Sequence, residues 1–66
     1  MSRRMTLNEL CNDVWYIQNI VVKDKRDKVL ANVKNYELQS VAYNSLKDRW
    51  VYSIGVIDKD LVVTVI

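Results

Sequence analysis

Sixty-six residues with ten basic and eight acidic side chains carry a net charge of +2, mixed along the chain and without the concentrated basic face of a dedicated nucleic-acid binder. One cysteine and no histidine exclude an internal disulfide and the usual zinc sites, and one glycine with no proline argues against disorder and long irregular loops. A chain this short buries only about 60% of the surface its unfolded form exposes, so its stability must come from packing or from association.

The first segment, Met1-Ser2-Arg3-Arg4, leads into no apolar run and does not read as a signal peptide. No stretch approaches the roughly 20 apolar residues a membrane helix needs. These features predict a cytoplasmic protein in a reducing compartment. Thr6-Leu7-Asn8-Glu9 is a capping box, in which the Thr6 hydroxyl and the Glu9 carboxylate each serve the other's backbone N–H. Met5 and Leu10 stand at the spacing of a hydrophobic staple. Leu7, Leu10, Cys11 and Val14 then form one apolar stripe, which predicts a helix from Leu7 to Val14 or Trp15. Cys11 lies inside that stripe and reads as a buried structural thiol, with no base nearby in sequence to activate it.

Tyr16 to Val22 is a β-branched run, Lys23 to Lys28 has four basic and two acidic residues, and Val29 to Val33 is apolar again. Apolar run, charged break and apolar run predict a hairpin with a solvated tip. Asn35 is placed to cap a second helix through Asp48, with Leu38, Val41, Ala42 and Leu46 as its buried stripe. Tyr36 and Tyr43, seven residues apart, flank that stripe nearly in line.

The last hairpin is the stretch the chain is organised around. In Trp50 to Ile57, Trp50, Tyr52, Ile54 and Val56 alternate with Val51, Ser53, Gly55 and Ile57. Asp58-Lys59-Asp60 makes the turn, and Leu61 to Ile66 has one polar side chain, Thr64. Strands apolar on both faces need cover on both. The order αββαββ predicts one small α+β domain over residues 1–66. It is expected to be a four-stranded, mainly antiparallel sheet with two short helices on one face. Both halves read as helix, tryptophan-led strand, charged turn and strand, a pattern that duplication and convergent patterning explain equally.

No histidine, no nucleophile–base pair and no glycine-rich phosphate loop are present, so the chain is expected not to be an enzyme and to need no cofactor or metal. Thr6 to Leu10 together with Leu46, Asp48, Val51, Ile54, Val56, Leu61, Val62, Val63 and Ile66 resembles small accessory proteins of Firmicute phages and prophages. The resemblance covers the two ends of the chain. It implies a phage-encoded protein of the host cytoplasm that binds and inhibits or modulates a host protein, including defence systems such as CRISPR nucleases.

From the residues themselves, the uncovered sheet face is expected to join a second copy or a host protein. Val51, Ile57, Val62 and Ile66 are the candidate contacts there, or the opposite set if the register is reversed, with Tyr36 and Tyr43 beside them. The C-terminal strand, uncharged from Leu61 to Ile66, is the other expected joining element if it lies at an edge. The alternative is a nucleic-acid-binding regulator that uses Arg3, Arg4, Lys23, Lys25, Arg26 and Lys28.

Overall fold

The computed structural model describes residues 4–66. Its elements are α1 (Leu7–Asp13), β1 (Asn19–Lys23), β2 (Val29–Lys34), α2 (Asn35–Leu38), a 3-10 turn (Val41–Tyr43), α3 (Asn44–Lys47), β3 (Val51–Ile57) and β4 (Asp60–Val65). The strands form one sheet in the order β2-β1-β4-β3. β1 and β2 pair antiparallel, as do β3 and β4, and the two hairpins join through a parallel β1–β4 pair. The α+β class and the predominantly antiparallel sheet are as the sequence predicts.

Register assigns the faces. Ile20 pairs with Leu61 and Val33, and Val22 with Val63 and Ala31, so these side chains share one face of the sheet. Leu7 and Cys11 of α1 and Leu38 of α2 pack on that face with Ile20, Val22, Val63 and Val65, and all of them are fully buried or nearly so. Leu10, Val14 and Leu46 close the rim of the same cluster. The helices therefore share one face. Burial of each large side chain contributes about 1.5–3 kcal/mol, and this cluster is what holds a short chain folded.

Helix α1 begins as its capping box dictates. The Glu9 N–H donates to Thr6 Oγ1 at 3.2 Å, and the Thr6 N–H donates to Glu9 Oε1 at 3.0 Å. Just before it, Met5 and Thr6 run antiparallel to the start of the second hairpin. Leu7 N–H donates to Arg49 O at 2.9 Å, and Val51 N–H donates to Met5 O at 2.8 Å.

Four expectations need correction. The strand predicted over Tyr16–Val22 begins only at Asn19, because the preceding residues turn, with the Gln18 N–H donating to Trp15 O at 3.0 Å. The helix predicted from Asn35 to Asp48 breaks at Ser40, whose backbone is extended (φ −72°, ψ 162°). Ser40 and β-branched Val41 are weak helix formers, and Lys47 Nζ caps the freed Gln39 carbonyl at 2.9 Å. The break rephases the stripe, so Leu38 and Leu46 stay on the core while Val41 is 83% exposed and Ala42 is exposed as well.

Asn35 does not cap its own helix. Its side chain is fully buried, and Nδ2 donates to the carbonyls of Cys11 at 2.9 Å and Val14 at 2.8 Å. It thereby satisfies the Val14 carbonyl beyond the end of α1 and adds a second donor to that of Cys11, which already accepts the Val14 N–H at 3.3 Å.

The fourth correction concerns the C-terminal strand, which is not an edge. β4 lies between β1 and β3, and its run of apolar residues is that of a strand paired on both sides and parallel on one. The edges are β2 and β3, and β3 is the one whose residues from Tyr52 to Ile57 are all exposed. The tryptophan-led strands of the two halves occupy unlike positions, β1 inside the sheet and β3 at its end.

Candidate interaction surface

β3 sits at the end of the sheet, and every residue from Tyr52 to Ile57 is exposed. Beyond Val51 the helix layer leaves it exposed. Ile54 pairs with Val63 and Val56 with Leu61, which places both on the helix-bearing face, yet Ile54 is 48% and Val56 73% exposed. Ser53, Gly55 and Ile57 lie on the opposite face, and Ile57 is 59% exposed. An ideal Cβ built on Gly55 meets nothing within 4 Å.

Among the described residues, the outer edge of β3 is covered only at its beginning, where Met5 and Thr6 meet Trp50 and Val51. From Tyr52 onward it carries no charge and no proline and, among the described residues, no covering element, which are the usual guards of an edge strand. An apolar strand open on both faces and one edge offers backbone hydrogen bonds and side-chain contacts to a second polypeptide.

The structure divides the residues expected to form a partner surface. Ile57 and Val62 share the face away from the helices, since Val62 pairs with Gly55 and Ile57 with Asp60. Ile66, 43% exposed, follows β4 and donates its N–H to Trp50 O at 3.0 Å. Val51 is not with them. A bulge between Val51 and Ser53 shifts the alternation, so Val51 pairs with Val65 and packs against the core.

Tyr36 lies elsewhere, on α2, which packs against β2 and β1, and its ring stands 6.5 Å from that of Tyr16. Tyr43 packs against the core and lines a shallow groove with Leu30, Ala42, Leu46 and Arg49. Strict alternation did not group Ile54 and Val56 with Ile57. What unites them is strand order, which exposes both faces of β3 at once.

The charged tip is tied into its own hairpin. Lys23 Nζ pairs with Asp27 Oδ1 at 3.1 Å, and Asp24 Oδ1 accepts the backbone N–H groups of Arg26 at 2.8 Å and Lys28 at 3.0 Å. Those hydrogen bonds, Lys28's first, hold the Asp24 carboxyl below its ordinary value. Asp27 takes a left-handed backbone, φ 68°, to close the turn. Lys25 Nζ lies 4.6 Å above the Tyr52 ring. Arg4 is exposed, and Arg3 lies outside the described residues.

Cys11 is buried, and desolvation pushes its thiol above the usual range despite the nearby Lys47 charge. A thiol held neutral in the core does not serve as a nucleophile. Among the described residues, no three His, Cys, Asp or Glu side chains group as metal ligands, and no helix is long and apolar enough to cross a membrane. Comparison with family models, with curated proteins and with solved structures yields no match to this chain.

Proposed function

We propose that this chain is a small protein-binding module of the inhibitor or adaptor kind, acting by docking a polypeptide on β3 and not by catalysis. The observation that carries the reading is β3 itself, an outermost strand with uncharged, exposed side chains on both faces. In the setting that the resemblance at the two chain ends implies, the protein is a phage accessory factor of the host cytoplasm. Its target there is a host protein, a class that includes defence systems such as CRISPR nucleases.

A homodimer is part of the same proposal, because one open edge serves a second copy as well as a foreign strand. Support for nucleic-acid binding is weaker: two carboxylates interleave the tip, and one of them pairs with Lys23. The test is affinity capture of the tagged protein from host lysate, beside Ile54→Glu and Val56→Glu variants. A partner retained by the wild type, lost from both variants and insensitive to salt supports the reading. Nucleic acid that elutes steeply with salt, or a partner that both variants retain, overturns it.

A further inference from the structure

The sequence of β3 is complementary to itself, and we propose that a second copy of this chain pairs with it antiparallel across a two-fold axis at Gly55. This proposal rests on β3 being the docking edge and names its occupant. A two-fold axis perpendicular to the sheet pairs only residues that lie on the same face, so the strand can slide only in two-residue steps.

Three registers are then open. With the axis at Ile54, Val51 falls opposite Ile57 of the second copy, but the bulge has put these two on different faces and the outer edge at Val51 is already taken by Met5. That register also sets Arg49 against Lys59 of the second copy, which is unfavourable. With the axis at Val56, Ile54 faces the charged Asp58 of the second copy, and fewer residues pair.

The axis at Gly55 avoids both faults. Ile54 then meets Val56 of the second copy, a β-branched cross-strand pair formed twice by symmetry. Ser53 meets Ile57 of the second copy, and Gly55 meets itself, where the absence of a Cβ leaves room for close approach. Tyr52 meets Asp58 of the second copy, and Lys25 already lies over the Tyr52 ring. Neither Lys25 nor Asp58 has an ion-pair partner among the described residues, so each interface end brings an unpaired cation to an unpaired carboxylate. No like charges meet.

The contact is a strip one strand long and one sheet thick, smaller than the ~1,200–2,000 Å² of stable specific interfaces, and association across such a strip is weak and exchange rapid. The dimer is therefore expected in the micromolar range. Because the axis keeps the faces in register, both helix layers stand on the same side of the joined sheet. Ile54 and Val56 of both copies form the floor of the trough between them.

The test is a charge exchange at the axis. Gly55→Lys and Gly55→Glu each add a side chain where the monomer has open space, so each should fold. Sedimentation equilibrium from about 5 μM to about 1 mM should give a monomer–dimer equilibrium for the wild type and at least ~10-fold weaker association for either variant. Mixing the two variants should restore dimers, since only then does a lysine face a glutamate. A wild type monomeric throughout, a dimer indifferent to either charge, or a mixture that stays monomeric overturns the proposal. Capture of a foreign partner that depends on Ile54 and Val56 but survives Gly55→Lys would refute the dimer and leave the docking edge standing.

Discussion

β1 and β3 each open a hairpin, each follow a tryptophan and each carry β-branched apolar residues, yet they end in opposite circumstances. Ile20 and Val22 of β1 are fully buried, while Ile54 and Val56 of β3 stand about half and three-quarters exposed on the same face of the same sheet. The difference is position. β1 has β2 and β4 as neighbours and α1 and α2 above it, whereas β3 has β4 on one side and, among the described residues, only Met5 and Thr6 along the start of the other. An apolar strand is a core element when other strands flank it and a docking element when they do not.

Truncation of one isoleucine on each strand puts that contrast to its strongest test. Ile20→Ala is expected to cost about 2–5 kcal/mol, because it removes fully buried methyl groups and leaves a cavity beneath α1. Ile54→Ala should cost under about 1 kcal/mol in the monomer, since half of that side chain is already in water. Urea unfolding at low protein concentration measures both. Equal losses would mean that β3 is covered after all.

A second test removes what fixes the helix layer over β1 and not over β3. Asn35 is fully buried between the end of α1 and the start of α2, and its amide serves the carbonyls of Cys11 and Val14 while its oxygen accepts from Gln39 Nε2 at 3.2 Å. Its backbone N–H reaches Gln18 O at 2.8 Å, which anchors the entry to β1. Asn35→Ala leaves the Val14 carbonyl without its donor and the Cys11 carbonyl with the Val14 N–H alone, and should cost about 1–3 kcal/mol. A loss below about 0.5 kcal/mol in thermal or urea unfolding would show that water replaces the amide readily.

Much of this was legible in the sequence, and what was not has a physical reason. The capping box at Thr6 and Glu9 is local chemistry and forms as read. The stripe Leu7, Leu10, Cys11 and Val14 reaches the core for the same reason, since helical spacing alone places it on one side. Strand order is not local. Nothing within Leu61–Ile66 says that β4 pairs in parallel with a strand some forty residues earlier, and so the open edge was sought on the wrong strand of the hairpin. Asn35 offers the same lesson: as a cap its role would be local, but its amide reaches carbonyls 24 and 21 residues away. At the bulge that turns Val51 inward, the Val51 N–H meets the carbonyl of Met5, a residue from the other end of the chain.

The turns of the two hairpins extend the comparison to pH. Asp24 organises the first turn by accepting two backbone N–H groups, which lowers its pKa below the ordinary 3.8. Since the folded value is the lower one, the stabilisation is present above the unfolded pKa and is lost as pH falls through the folded pKa. Stability should therefore decline from just above pH 3.8 downward, with a shallower decline in Asp24→Asn. Urea midpoints collected between about pH 7 and about pH 2 give the two slopes. Parallel curves for wild type and variant would mean that the Asp24 hydrogen bonds are not maintained in solution.

The smallest effect is expected at the tip of that turn. Lys25, Arg26 and Lys28 project from the loop, and the tip contact to another element that involves their side chains is Lys25 over the exposed Tyr52 ring. A cation–π contact in that setting is worth about 0.5–1 kcal/mol, and the other two charges are solvated. Changing all three to serine should thus cost no more than about 1 kcal/mol, with the fold intact by circular dichroism. Lys25→Ser alone should account for nearly all of it. A larger fall in melting temperature would show the tip packed against the second hairpin, which would extend cover to the start of β3 and narrow its open edge. Nucleic-acid binding that disappears with the three charges and weakens steeply with salt would move the functional surface from β3 to the tip.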